Sequence, residues 1–580
     1  MVAILQALVP CYCQSAALPT GLETRPGDAH TLFKEKLNKL GSVLNTLFAI
    51  AMSLQLAGTP IEADPVEAFY AARAGAPVWT GDANRENRAD LLAALASASH
   101  HGLDPADYGY DALLVAGPGE VDPALERLAT EGWMSLADDL ATGRVHPRDY
   151  GAEFDAPEPL ANPADALALM IAAGEVATSL EALAPRRPDY RALQAALQRY
   201  REIAKQGGWR AIEAGPALHP GDRDVRVLYL RDRLQAEGLM PALPWPVPEA
   251  FPDFIDAMMT YDEAVEAAVM DVQRSGHMEA DGVAGADTIE WLNIPVEHRI
   301  AQIEANLERL RWLPREPASP RVEVNLPDYR LAVYGDAGLV RSYDVIVGRP
   351  SRPSPQLHAQ MRYMILNPWW ETPHRLAVLD ELPLFRRDPE AVERLGFVVL
   401  NRETGEAVDA SEIDWTTVSA RDFPYRLRQR PGPLNALGVV KFIFPNPFST
   451  FLHDTSARAL FNRPSRAFSS GCVRVRDAVA LAEWVAALAS DTDNERLHDA
   501  LDSGAETRID LNRPIDVRFL YLTAVADGAG GVRFVPDVYG LDERLIEALG
   551  GVPETESPDD EVDTDGFILA DGSSECGLGL

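Results

Sequence analysis

Two side chains near the end of the patterned sequence are of the right types for nucleophilic catalysis. Cys472 follows a glycine in Phe468-Ser469-Ser470-Gly471-Cys472-Val473-Arg474-Val475, and His453 lies upstream in Phe451-Leu452-His453-Asp454-Thr455. A cysteine beside a glycine, just ahead of a helix, can sit on a tight turn where backbone N–H groups and the helix end lower its pKa. An ordinary thiol is mostly protonated at neutral pH, so catalysis needs a nearby base. Residues 454–468 give enough chain to fold His453 back beside the cysteine. His453 is then the candidate base, taking the thiol proton and later giving it to a leaving amine. A lone buried cysteine is more often a small apolar packing residue, and composition and spacing alone leave both readings open.

The other cysteines do not compete for this role. Of the four, Cys11 and Cys13 precede a signal-like segment and Cys576 lies in a polar tail, which leaves Cys472 as the one inside a patterned domain. Neither a disulfide framework nor a Cys-rich zinc site is expected, and no metal or organic cofactor is implied. A penicillin-binding serine enzyme needs Ser-x-x-Lys, yet none of the five lysines has serine three residues before it. The His-Glu-x-x-His pattern of zinc peptidases is absent as well. A net charge of -35 argues against nucleic acid or an anionic membrane surface as partner.

The elements that must position Cys472 and His453 fall into blocks. A chain of 580 residues is too long for one hydrophobic core. Lys34, Lys36 and Lys39 precede an apolar run from Leu40 to Ala57, with small residues at Ala57, Gly58 and Ala63. This reads as a secretory signal, with residues 1–33 as sequence upstream of the real start. An amphipathic cytosolic helix and an uncleaved anchor are the alternatives. Residues 63–217 are helical and alanine-rich, as in Ala89–Ala98 and Leu180–Leu197, and residues 296–318 are expected to complete that scaffold. Its loop histidines, His100, His101 and His146, have no ligand-spaced partners. Residues 218–295 form a second small helical unit, in which Asp281-Gly282-Val283 reads as a turn rather than a calcium loop. From residue 319 to 526 the period changes to two, as in Arg321-Val322-Glu323-Val324-Asn325-Leu326, which predicts strands. A polar stretch at about 376–430 interrupts them as a long loop. Residues 527–550 are a C-terminal extension, and the acidic tail 551–580 is expected to be disordered.

His453 together with Ser469-Ser470-Gly471-Cys472-Val473-Arg474 resembles the catalytic signature of the L,D-transpeptidase (YkuD-type) domain. Asn306-Leu307-Glu308-Arg309, Arg311-Trp312-Leu313-Pro314, Val347-Gly348-Arg349-Pro350 and Asn367-Pro368-Trp369-Trp370-Glu371-Thr372-Pro373 resemble the large periplasmic branch of that family. The resemblance implies a multidomain α+β chain: a helical N-terminal scaffold, a small helical peptidoglycan-binding module, and a mainly β catalytic domain with the 376–430 insertion as a lid. It implies that Cys472 attacks a tetrapeptide stem of peptidoglycan, releases D-alanine and passes the acyl group to an amine, giving a 3→3 cross-link or D-amino-acid exchange. Gly471 and Ser470 would support the oxyanion. Arg474, Ser469, Trp370 and Tyr425 would touch substrate. Donor and acceptor stems are the expected partners, carbapenem-type compounds the expected inhibitors, and the Gram-negative periplasm the expected location. The family usually has histidine where this chain has Ser470. That departure supports one rival reading, a catalytically impaired peptidoglycan-binding protein.

Overall fold

The computed structural model describes residues 64–116, 119–154, 157–241, 251–526 and 531–551. The signal-like segment and the acidic tail therefore lie outside the described residues. The chain forms two compact units. The described part of the first contains two helices, Pro65–Ala72 and Pro163–Ala173.

In the scaffold, the helix Pro123–Thr142 buries Ala129, Trp133, Leu136 and Leu140, a three-four spacing that makes one apolar face. The buried Glu126 carboxylate on this helix accepts backbone N–H bonds from Val78, Trp79 and Thr80 at 2.9, 2.8 and 2.6 Å. The helix Val296–Arg311 packs against Pro188–Lys205. It carries a fully buried ion pair, Arg311 to Glu308 at 2.6 Å, and Arg311 also donates to the carbonyl of His101 at 2.8 Å. His101 is buried against Tyr190 and Glu181, and His146 caps a short turn by accepting from Arg148 N. Both histidines serve the fold.

The helices Arg226–Ala236, Glu263–Ser275 and Ala286–Asn293 enclose a separate core that includes Leu218, Val227, Leu230, Val265, Val269 and Leu292. The Asp281 carboxylate there accepts from Gln273 Nε2 and Val283 N, so it holds a turn.

The strand-rich region is a closed sheet. Its strands in chain order are β1 (Ala152–Glu153, from the scaffold), β2 (Arg321–Asn325), β3 (Arg330–Gly335), β4 (Gly338–Gly348) and β5 (Gln356–Leu366). After the insertion, which holds β6 to β9, come β10 (Val440–Ile443), β11 (Leu452–His453), β12 (Ala467–Ser469), β13 (Val473–Val475) and β14 (Thr507–Leu520). The order β5-β10-β11-β13-β4-β3-β2-β14 returns to β5, because the long β14 pairs with β2 on one side and β5 on the other. Closure leaves no exposed edge along that ring. Alternate residues such as Val322, Val324, Leu331, Val333, Met361, Met364, Val517 and Phe519 fill the core. The helix Ala478–Ala489 adds Leu481, Ala482, Val485 and Ala486 to it.

The sequence reading places a polar loop at about 376–430. The structure instead holds a folded sub-domain there, with wider bounds. A four-stranded sheet of β6 (Trp370–Thr372), β7 (Phe397–Asn401), β8 (Ala407–Val408) and β9 (Tyr425–Gln429) packs on its own core of Trp370, Phe385, Phe397, Trp415, Leu427 and Leu437. Phe385 meets Trp415 at 5.0 Å and Phe397 at 5.4 Å between ring centroids. A few large aromatics spaced among charged residues supply this core, and they leave no periodic signal in sequence.

Candidate active site

Strand β11 is only two residues long, yet it fixes the histidine. Its register with the parallel strand β13 sets Leu452 opposite Val473 and His453 opposite Arg474. Phe451 therefore lies level with Cys472. Its backbone N–H points at the cysteine sulfur at 3.4 Å, while its carbonyl accepts from Val473 N at 3.2 Å. His453 on β11 and Cys472 immediately before β13 thus meet at neighbouring strands of one sheet, as the loop between them allows.

The cysteine is not at a helix N-terminus. Strand β13 intervenes, and the helix starts at Ala478. The tight turn is real: Gly471 has φ of 116°, in the region that favours glycine. Ser469 Oγ closes the turn, accepting from Gly471 N at 3.2 Å and donating to the Cys472 carbonyl at 2.5 Å. Two roles shift as a result. Ser469 is committed to the turn rather than to substrate, and the Gly471 N–H is already bonded. Cys472 is buried, and its sulfur is disulfide-bonded. This differs from the sequence reading, in which no disulfide framework is expected. Nucleophilic chemistry concerns the reduced thiol.

His453 Nδ1 lies 2.5 Å from the carbonyl oxygen of Asp454. A carbonyl only accepts, so Nδ1 carries the proton and Nε2 is the basic nitrogen. Burial, followed by the charges of Arg474 and Lys441, pushes the His453 pKa down to about 3. The imidazole is therefore neutral, with Nε2 unprotonated. The Asp454 carboxylate faces elsewhere, accepting from Val439 N at 3.0 Å and from Arg458.

Arg474 is buried, and its Nε and Nη1 have no hydrogen-bond partner among the described residues. Burial and the neighbouring Arg349 push its pKa down to about 10, so it remains a cation at neutral pH. An unpaired buried guanidinium is costly, and a carboxylate would satisfy it. Trp370 does not line this region: it is 2% exposed in the core of the insertion, with its ring 6.0 Å from that of Phe397. Tyr425 is half-buried in the same aromatic cluster, against Trp415 and Phe423.

The segment 349–354 supplies residues that sequence reasoning left without a role. Arg352 Nη1 donates to Ser470 Oγ at 3.0 Å and to Asp380 Oδ2 of the insertion at 3.1 Å. Ser354 Oγ accepts from Gly348 N at 2.9 Å and donates to the Gly471 carbonyl at 2.7 Å. Tyr539, from the C-terminal extension, donates to the Gly348 carbonyl at 2.8 Å and accepts from Ser354 N at 3.2 Å. The close approach needs Gly348, because a Cβ there would lie 2.3 Å from the Arg352 carbonyl oxygen. The nearest sequence signal was Val347-Gly348-Arg349-Pro350, which carried a resemblance but no function.

Residues 319–509 match the model of the L,D-transpeptidase catalytic domain, and residues 64–197 match that of a scaffold domain. A Haemophilus influenzae (strain ATCC 51907 / DSM 11121 / KW20 / Rd) protein named "Putative L,D-transpeptidase" is 36% identical over 250 residues, which is 43% of this chain and 50% of that one. The chain thus spans about half the length of this curated relative. A solved L,D-transpeptidase (residues 123–326) from Xylanimonas cellulosilytica DSM 15894 is 15% identical, with a TM-score of 0.17, over 53% of this chain and 98% of that one. With the matched segment enclosing the Cys472 turn and His453, residues 319–509 belong to the L,D-transpeptidase catalytic-domain family, in a chain that also carries a scaffold domain.

Proposed function

We propose that the chain is an exported, cysteine-dependent L,D-transpeptidase acting on peptidoglycan stem peptides in the periplasm. The observation that carries this reading is the β11–β13 register, which sets a neutral buried imidazole and an unpaired buried guanidinium beside the Cys472 turn. In the reduced enzyme, His453 Nε2 takes the thiol proton as Sγ attacks the carbonyl of the stem's third residue. A C–S bond forms and the carbonyl π pair moves to oxygen. On collapse the amide C–N bond breaks, and the imidazolium returns the proton to D-alanine, leaving a thioester. An amine of a second stem then attacks the thioester, and His453 takes its proton while the thiol departs. The product is a 3→3 cross-link, or an exchanged stem when the amine belongs to a D-amino acid. Arg474 pairs with a stem carboxylate, which supplies the partner its guanidinium lacks.

No helix among the described residues is long and apolar enough to cross a membrane. Export rests on the signal-like segment alone. The test is the intact mass of reduced protein after exposure to a carbapenem, a β-lactam that acylates nucleophiles of this kind. A single adduct on wild type that is lost in Cys472→Ala supports the reading. Folded, reduced wild type without an adduct would favour the peptidoglycan-binding alternative.

A further inference from the structure

The oxyanion of the proposed reaction needs at least two donors, and one expected donor is already occupied. The Gly471 N–H is bonded to Ser469 Oγ. Beside it lies Ser470, where the family's usual histidine is missing. The Ser470 hydroxyl is buried, accepts from Arg352 Nη1 at 3.0 Å, and makes no other hydrogen bond among the described residues. A hydroxyl has one proton to give and can accept at the same time. Because its oxygen is filled by a cationic donor, its O–H is polarised and left to point at an incoming acceptor.

Arg352 is itself held from the far side. The same Nη1 atom carries two protons, one directed at Ser470 and the other at Asp380 at 3.1 Å. Asp380 lies in the π-helical turn Ala377–Glu381 of the insertion, an irregular geometry that is frequent at functional sites. The chain of contacts therefore runs from the insertion, through Arg352, to the residue two before the nucleophile.

We infer that Ser470 is an oxyanion donor of the acyl-transfer step, polarised by Arg352, and that Asp380 holds Arg352 in place when the insertion covers the site. The inference rests on the transpeptidase reading above. During attack by Sγ the carbonyl oxygen gains the π pair, and the Ser470 O–H donates a hydrogen bond to it without giving up its proton. Arg352 and Asp380 are positioning residues, since neither touches the reacting atoms.

The experiment is the second-order acylation rate of reduced protein by a carbapenem, followed by intact mass. It covers wild type, Ser470→Ala, Arg352→Gln, Asp380→Asn and the double variant Ser470→Ala/Arg352→Gln. Iodoacetamide alkylation is measured alongside, because it needs the thiol but develops no oxyanion. Ser470→Ala is expected to slow acylation roughly 100-fold while leaving alkylation within about twofold. Arg352→Gln should slow acylation about 10-fold alone and not at all in the Ser470→Ala background, the signature of residues acting as a unit. Asp380→Asn should fall between Arg352→Gln and wild type. Wild-type acylation in Ser470→Ala, or an additive effect in the double variant, overturns this inference and leaves the transpeptidase reading standing. No adduct on reduced wild type overturns both.

Discussion

His453 and Arg474 are register partners across the parallel strands β11 and β13, and the charge of Arg474 helps keep the His453 imidazole neutral. The same guanidinium has two nitrogens without hydrogen-bond partners among the described residues and is almost wholly buried. A fold does not gain stability from such a group; a buried ion without its counter-charge costs several kcal/mol. A substrate carboxylate would supply the missing counter-charge. Arg474→Met is therefore expected to raise thermal stability, by roughly 1–3 kcal/mol. It should also lower kcat/KM for a tetrapeptide donor by about 100-fold or more. Calorimetric unfolding and a disaccharide-tetrapeptide assay check the two halves. A loss of stability would mean that Arg474 is a structural residue.

Two histidines with strongly lowered pKa values contribute to the acid response. His453 and His277 both have pKa values pushed down to about 3, in each case first by burial. Arg474 and Lys441 add to this at His453, and Arg466 and Arg533 at His277. His277 stacks on Tyr329 with ring centroids 4.3 Å apart. An unfolded histidine titrates near 6.5, so between that value and about 3 the unfolded chain binds more protons than the folded one. Stability from these groups is full above about pH 6.5 and is lost as pH falls through that window. The loss is about 2 kcal/mol per histidine by pH 5. His277→Asn keeps a side chain that tolerates the positive φ of 54° at this position. It should flatten the fall in melting temperature between pH 7 and pH 5, and an unchanged slope would count against a buried neutral His277.

The legible parts of the site were those that one strand or one turn encodes. Cys472, Gly471 and His453 stand in short contiguous motifs, and period-two runs such as Arg321–Leu326 announced the sheet that β11 and β13 join. Arg352, Asp380, Ser354 and Tyr539 were not legible, because each reaches the cysteine turn across more than 60 residues of chain or through another side chain. The same limit explains Trp370. Beside a second tryptophan it is expected, by resemblance, to touch substrate, yet the sheet β6–β9–β7–β8 turns it inward while Trp369 stays half-exposed under Arg428. A fold built on sparse long-range contacts offers no periodicity to read.

Within the insertion, Glu381 is buried beside Asp380, and desolvation followed by that neighbouring charge pushes its pKa up to about 7. The sign is opposite to that of the histidines. The folded state holds a proton that the unfolded chain releases near pH 4.5, so the group costs stability as pH rises from there through about 7. Glu381→Gln removes the ionisable group at nearly constant shape. It should raise the melting temperature at pH 8.5 and leave it little changed at pH 4. Amide hydrogen exchange over residues 370–437 should slow at the higher pH alone. Equal effects at both pH values would mean that Glu381 does not ionise in the folded insertion.

The insertion has a core of its own, in which large side chains pack on one another, and Phe451 packs against both it and the barrel core. Trp415 is 1% exposed and meets Phe385 and Tyr425 at 5.0 and 5.9 Å. Trp415→Ala should cost about 3–5 kcal/mol of local stability, enough to unfold the sub-domain while strands β2–β5 and β10–β14 persist. Loss of the fold there also frees Arg352 from Asp380 and admits water to the site. Limited proteolysis should then cut between residues 376 and 430 in the variant and spare the same segment in wild type. The thioester formed with a tetrapeptide donor should partition toward hydrolysis over transfer to an amine, because a covered site excludes the competing water. Unchanged partitioning in a variant that is cleaved there would show that the sub-domain does not shield the acyl-enzyme.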